Sequence, residues 1–282
     1  MLKLSSDVLE INLPLTEARI ERFIRDYVKE CGVEGAIVGM SGGIDSCTTA
    51  VLASKALGAG SPVLGVMLPE EETYNATDVQ HAKTVAEKFG FPLETVDISP
   101  TLKACFNSLP IYDAKDKLCK GNLKARIRMI YLYYYANKLK RIVCGTSDKS
   151  ETMMGYFTKW GDAAADISPL KDLYKTQVRQ LATYLGLPKE VVTKPSTPAL
   201  WPGHLAEEEL GVKYEVLDLI LFGLEHFMTS KEIAEQLQLP LKLVDNIKRQ
   251  WLTTEHKRRQ PLTLKLGYRT VGADFRLPYS LG

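Results

Sequence analysis

Apolar residues recur at helical spacing in TEARIERFIRDYVKEC, Thr16 to Cys31, and the segment reads as an amphipathic helix ended by Gly32. Alternation follows. AIVGM (36–40) reads as a short buried strand, SCTTAVLASKAL (46–57) as a helix closed by Gly58, and PVLGVML (62–68) as a second strand. TDVQHAKTVAEKFG (77–90) predicts a helix with a glycine stop, LETVDI (93–98) a third strand, NLKARIRMIYLYYYANKLK (122–140) a long helix and RIVCGT (141–146) a fourth strand. The pattern then turns helical: 174–186, 211–227, 230–239 and 241–257, with the proline-rich turn KPSTPALWPGH between the first two. The last residues, PLTLKLGYRTVGADFRLPYSLG, have no periodicity and read as an extended tail pinned across the fold.

Strands alternating with helices predict an α/β fold, a doubly wound parallel sheet of Rossmann-like type with additional C-terminal helices, because right-handed crossovers place helices on both faces. Residues 1–282 then form a single domain: a nucleotide-binding α/β core over 1–200, a helical region over 201–257 and the extended tail over 258–282. Ligands of such sheets bind beyond the carboxyl ends of the strands, where strand order reverses. Three loops share that rim: SGGIDS after the first strand, LPEEETYNATD after the second, and TSDKSETMMGYFTKWGD after the fourth. The last is long and rich in charge, which suits a substrate lid.

Composition narrows the chemistry. With 45% apolar and 25% charged residues the chain is an ordinary globular sequence, and no stretch approaches a membrane span. MLKLSSDVLEINL lacks the apolar core and cleavage site of a signal peptide, so a cytoplasmic protein is expected. The five cysteines have no CxxC spacing and the four histidines no paired-ligand spacing, so any metal should be oxygen-ligated. A net charge of +2 is too balanced for a protein that coats nucleic acid. TSKEIAEQLQLPLKLVDNIKRQ has helix-turn-helix spacing, but its second helix carries apolar residues at core spacing.

In SGGIDS the glycines let successive backbone N–H groups and the following helix N-terminus point at one anion, with Ser41 and Ser46 as further donors. No lysine follows. Where a GxxxxGK[ST] loop carries its cation this chain has Asp45, and a carboxylate tolerates polyphosphate oxygens only across a divalent cation, so Asp45 is assigned to magnesium. Glu151 becomes the second oxygen ligand if the first and fourth strands are neighbours; taken alone it reads equally well as a helix-start glutamate. The 122–140 helix is apolar nearly all round, which predicts a homodimer packed partly through it. The helix also carries Lys124, and the arginines at its polar end, Arg126 and Arg128, either reach a bound anion or are surface charge.

SGGIDS resembles the pyrophosphate motif of N-type ATP pyrophosphatases, the adenine nucleotide alpha hydrolase type of sheet. GNLKARIRM, GTSDKSE, GYFTKWGDAAADISPLKDLYKTQ, the proline segment before LW, EEELGVKYEVLDLIL and EHKRRQP are together similar, in order and spacing, to ammonia-dependent NAD synthetases. The resemblance implies amidation of nicotinic acid adenine dinucleotide (deamido-NAD): ATP activates its carboxylate as an acyl-adenylate with release of pyrophosphate, and ammonia then displaces AMP to give NAD. It further implies that Gly39, Met40, Ser41, Gly42, Gly43, Ile44, Asp45 and Ser46 hold ATP with Thr146, Lys175 and Thr197. Asp45 and Glu151 would bind magnesium, and Arg126, Lys159, Asp166, His256 and Lys257 the deamido dinucleotide. Lys175 would help offset the charge on leaving pyrophosphate, and Asp166 would either orient or deprotonate the incoming ammonium or bind substrate. Ala163, Ala164 and His204 depart from residues common in the family and leave the matched catalytic positions untouched.

The rivals are another ATP pyrophosphatase, such as a tRNA thiolase or GMP synthetase subunit, and a non-catalytic nucleotide-binding module. No CxxC pair supports thiolation, the C-terminal helices do not resemble the GMP synthetase dimerisation domain, and intact Asp45, Glu151 and Lys175 argue for catalysis. The fused amidase of glutamine-using relatives has no room here, so free ammonia is the expected nitrogen source; a separate glutaminase subunit is possible but nothing points to one.

Overall fold

The computed structural model describes residues 3–58 and 62–275. A short 3₁₀ turn, Ser6–Leu9, precedes α1 (Leu13–Glu30), whose N-terminus is capped by Asn12 accepting the Leu15 N–H. The alternation follows as β1 (Ala36–Met40), α2 (Ile44–Leu57), β2 (Val63–Met67), α3 (Ala76–Phe89), β3 (Leu93–Thr95), α4 (Ser99–Ser108), α5 (Lys117–Lys138) and β4 (Ile142–Cys144). Helices complete the described chain: α6 (Lys149–Met154), α7 (Lys175–Tyr184), α8 (Lys189–Val192), α9 (Ala206–Leu210), α10 (Tyr214–Glu225), α11 (Ser230–Leu237), α12 (Leu241–Thr253) and α13 (Glu255–Arg258).

The sheet is parallel throughout, in the order β3-β2-β1-β4. Ala36 lies opposite Val63 on one side and Ile142 on the other, so β1 is central and the strand order reverses between β1 and β4. Period-two alternation divides the sheet between two cores. Val38 and Met40 pack with α1, α2 and α7, whereas Ile37, Val66 and Val143 pack with α4 and α5. Doubly wound topology follows, and the crevice falls where SGGIDS and GTSDKSE leave neighbouring strands.

A third core gathers Tyr214, Leu217, Ile220 and Leu221 of α10 with Ile233 of α11 and Val244 of α12. Leu4 and Leu9 from the N-terminus and Met153 and Met154 of α6 join it. This corrects one expectation. The segment after β4 is not a loose lid along its length: its first part is α6, anchored by two buried methionines, with 157–171 forming most of the segment's border with open space beside Ser147 and Thr152. The third strand is also shorter than expected, and Pro100 sits in the first turn of α4, where its missing N–H costs nothing.

α5 has two characters. Ile127 and Ala136 face the core, while Ile130 and Tyr134, one turn apart, are exposed. Residues 261–275 are exposed almost throughout rather than pinned across the fold, held locally by a Lys265–Asp274 ion pair and a Val271–Phe275 bridge. The rest of the predicted tail, 276–282, lies outside the described residues. No helix among the described residues is long and apolar enough to cross a membrane.

Candidate active site

β1 ends at Met40 and the chain turns at once into α2 through Gly42, whose φ is +75°. A Cβ there would lie 2.1 Å from the Asp78 carbonyl oxygen, so both conformation and space require glycine. The loop is shaped by its own hydroxyls. Ser46 Oγ donates to Gly43 O (3.0 Å) and accepts the Ser41 N–H (3.2 Å), and Ser41 Oγ accepts the Gly43 N–H (3.3 Å). Ser46 therefore fixes the turn instead of serving as a free donor. No side chain caps α2, which leaves its first-turn N–H groups directed into the crevice.

Asp45 and Glu151 meet over Lys175, from α2, α6 and α7. Lys175 Nζ lies 2.7 Å from Asp45 Oδ2, 2.9 Å from Glu151 Oε1 and 2.8 Å from Asp148 Oδ2. Lys175 and Asp148 are both 0% exposed. Lysine opens α7, the positive end of a helix, where a cation is disfavoured unless anions compensate. Burial would pull its ammonium down, yet Asp148, Asp45 and Glu151 hold it well above the ordinary lysine range. Burial likewise pushes the Glu151 carboxyl up against the pull of Lys175, and the neighbouring Asp148 and Asp45 push it further. With burial raising both Glu151 and Asp148, one ammonium faces three carboxyl groups that cannot all ionise without leaving negative charge uncompensated, and Asp45 Oδ1 is buried without a hydrogen-bond partner.

Asp148 was not among the residues singled out from sequence. It caps α6 by accepting the Glu151 N–H (2.8 Å) while pairing with Lys175, so one side chain orders two members of the cluster. Asp218 and Tyr214 were missed as well. The readable signal for Asp218 was a carboxylate inside the apolar run YEVLDLILF; its acceptor role needed the fold.

Beside the cluster opens a cleft of about 1260 Å³ between α1, the 157–171 segment and the 257–260 segment. Lys159, Asp166 and Lys257 line it, as do Arg19, Arg22, Lys171 and Arg259, against the acidic Asp26 and Glu30. Lys257 donates to Gly155 O (2.5 Å) and lies 4.8 Å from the Phe157 ring centroid; burial pulls its ammonium down. Asp166 accepts the Val143 N–H (2.7 Å), extending the sheet edge at β4, and reaches Tyr133 Oη at 3.4 Å. Lys159 Nζ donates to His256 O (2.7 Å), and Arg126 to Lys159 O (3.3 Å), so Arg126 braces this wall rather than lining it. The His256 imidazole is exposed and sits 3.1 Å from Thr253 O, turned to its own helix end.

Thr146 is half-buried between β4 and α6. Thr197 lies on the 193–205 loop, its hydroxyl bonded to His204 O. That loop is tied to the rim at two points: Lys194 pairs with Asp78 beside Gly42, and buried Lys124 donates to Leu200 O (3.2 Å) while holding Glu70 (2.8 Å) and Glu72 (2.7 Å). His204 stacks on Trp201 at 3.5 Å and meets Glu209 of α9 and Tyr156 through Nε2, so this departure ties the loop to its neighbours.

The NAD synthase family model matches residues 16–261. The NH(3)-dependent NAD(+) synthetase of Methanocaldococcus jannaschii is 47% identical over 247 residues, 87% of this chain and 94% of the relative. The enzyme of that name from Hyperthermus butylicus is 42% identical over 257 residues, 91% and 92% of the two chains. Among solved structures, an NMN synthetase from Francisella tularensis aligns with a TM-score of 0.81 and 34% identity, covering 91% of this chain and 100% of that one. An NH3-dependent NAD synthetase from Campylobacter jejuni, in complex with the nitrate ion, aligns at 0.75 with 27% identity, covering 90% and 100%. A parallel sheet that reverses between β1 and β4, a carboxylate cluster at that crevice and a match spanning most of the sequence agree: the chain belongs to the NAD synthase family.

Proposed function

We propose that the protein amidates the nicotinate carboxylate of deamido-NAD with ammonia, at the expense of ATP, giving NAD, AMP and pyrophosphate through an acyl-adenylate. The observation that carries this reading is the Lys175 cluster at the crevice between β1 and β4, between the uncapped N-terminus of α2 and a cation-rich cleft large enough for a second nucleotide. The first-turn N–H groups of α2 hold phosphate oxygens of ATP, and the cleft takes the dinucleotide, whose own pyrophosphate matches the surplus of lysine and arginine. Carboxylate oxygen is a poor leaving group towards ammonia until adenylation converts it to AMP, so holding both anions in line is most of the task.

The residues fit magnesium. Asp45 and Glu151 would hold it, since two carboxylates shared with phosphate oxygens are its usual setting, and the uncompensated charge and unpartnered Asp45 Oδ1 are what a dication would meet. When bound, it supplies charge stabilisation for the departing pyrophosphate. Lys175 adds a fixed positive charge next to it and keeps the carboxylates from moving apart. Within the cleft Asp166 either orients or deprotonates the incoming ammonium or binds the dinucleotide itself. The exposed Ile130 and Tyr134 form the centre of a homodimer seam, which sedimentation at micromolar concentration would show as twice the 31.5 kDa chain mass. We place the enzyme in the cytoplasm.

Purified protein given ATP, magnesium, ammonium and deamido-NAD should form NAD and AMP in equal amounts. ADP in place of AMP would sink the mechanism. Because a Francisella NMN synthetase is structurally similar, nicotinic acid mononucleotide belongs in the same assay; faster turnover of it than of deamido-NAD would reassign the substrate.

A further inference from the structure

Lys175 is useful only if its ammonium stands at one place, and the backbone that carries it is held from outside the sheet domain. The Lys175 N–H donates to Ser150 Oγ (2.9 Å), and Ser150 Oγ donates to Asp218 Oδ1 (2.5 Å). The next N–H, that of Thr176, donates to Asp218 Oδ2 (2.8 Å). Two free donors of the first turn of α7 therefore end on one carboxylate, directly and through a hydroxyl. Ser150, Lys175 and Asp218 are all 0% exposed, so water cannot take over these bonds. One turn earlier on α10, Tyr214 lays its ring 5.3 Å from Lys175 Nζ, while its own hydroxyl is buried with no hydrogen-bond partner. A buried ring whose polar end is unused is placed there for its face.

We propose that Asp218 and Tyr214 are positioning residues of the reaction: Asp218 fixes the backbone of Lys175 through Ser150 and Thr176, and the Tyr214 ring confines its side chain so that Nζ stays among Asp45, Asp148 and Glu151. The proposal rests on the reading above that Lys175 offsets charge on the leaving pyrophosphate. It gives α10 a share in catalysis although neither residue points into the cleft.

A purely structural cap would change stability alone, whereas a positioning residue changes kcat at nearly constant KM. Asp218→Asn and Ser150→Ala should each lower kcat about 10- to 100-fold, the usual loss when an outer hydrogen bond orienting a working group is removed, with KM for ATP within about threefold of wild type. Tyr214→Leu should lose kcat similarly, and Tyr214→Phe should recover most of that loss. Ile220→Ala, buried on the opposite side of α10, is the control: it should lower the melting temperature while keeping kcat. If Asp218→Asn lowers melting but keeps kcat at the level of Ile220→Ala, and Tyr214→Leu does the same, the proposal is overturned. Lys175→Ala separates this from failure of the underlying reading. Wild-type kcat in Lys175→Ala would remove the role of Lys175 itself, whereas loss there with intact Asp218→Asn removes only the positioning. Should Asp218→Asn not fold, Ser150→Ala and the Tyr214 pair decide between the same outcomes.

Discussion

Gly42 and Asp218 show how single residues set the site. At Gly42 a positive φ coincides with a carbonyl 2.1 Å from any added Cβ, so Gly42→Ala must move either the loop or the start of α3. The expected outcome is a loss of ATP binding by at least tenfold in calorimetric titration, with a stability cost of about 1–3 kcal/mol; wild-type affinity would mean that the loop shape does not matter. Asp218 is read through pH. Burial pushes its carboxyl from the ordinary 3.8 to about 6, against the hydrogen bonds from Ser150 and Thr176. Folding therefore takes up a proton that the unfolded chain has already released. The stability tied to this group is complete below pH 3.8 and is lost as pH rises through about 6, a difference of about 3 kcal/mol. Chemical denaturation at pH 4 and pH 7 should show the wild type losing about 2 kcal/mol relative to Asp218→Asn, since the unfolded carboxyl is already partly ionised at pH 4, and parallel curves would refute the assignment.

At the scale of elements, legibility followed local periodicity and failed where tertiary contact made the element. β1 was readable to the residue, because a central parallel strand is a continuous apolar run bounded by turn signals. The helices α2, α3, α7 and α10–α12 were readable to within a few residues for the same reason. α4 and α6 were not. The first carries in its first turn a proline that resembles a breaker, and the second has 6 residues, too few to show a period, and owes its place to the burial of Met153 and Met154 by α10 and α12. The buried lysine of α5 received no role from the sequence, since its partners come from two distant loops. Lys124 joins the loop after β2, through Glu70 and Glu72, to the 193–205 loop, through Leu200 O. Removing it in Lys124→Met strands Glu70, which is 5% exposed, and should cost about 3–5 kcal/mol in denaturation experiments. Pairing it with Glu70→Gln should recover most of that loss. A single variant as stable as wild type would show that the pair does not hold the two loops.

Across the whole molecule the candidate site concentrates charge that the fold alone does not balance. The sequence located Asp45, Glu151 and Lys175 because each sits in a recognisable block, but it could not place their charges at 2.7–2.9 Å around one buried ammonium, nor add Asp148 to them. Three carboxylates with one lysine repel one another, so the folded state without metal should carry a stability cost that a divalent cation relieves. Magnesium alone, without nucleotide, should therefore raise the melting temperature. At a hundredfold excess over its Kd the gain is about 2.7 kcal/mol, several degrees for a chain of this size, and chelation should reverse it. Asp45→Asn removes one of the repelling charges while keeping an oxygen for Lys175. This variant should be at least as stable as wild type in the absence of metal, should show little magnesium-dependent gain, and should have lost turnover. A wild type whose melting temperature ignores magnesium, or an Asp45→Asn protein that still responds fully to it, would place the metal somewhere other than this cluster.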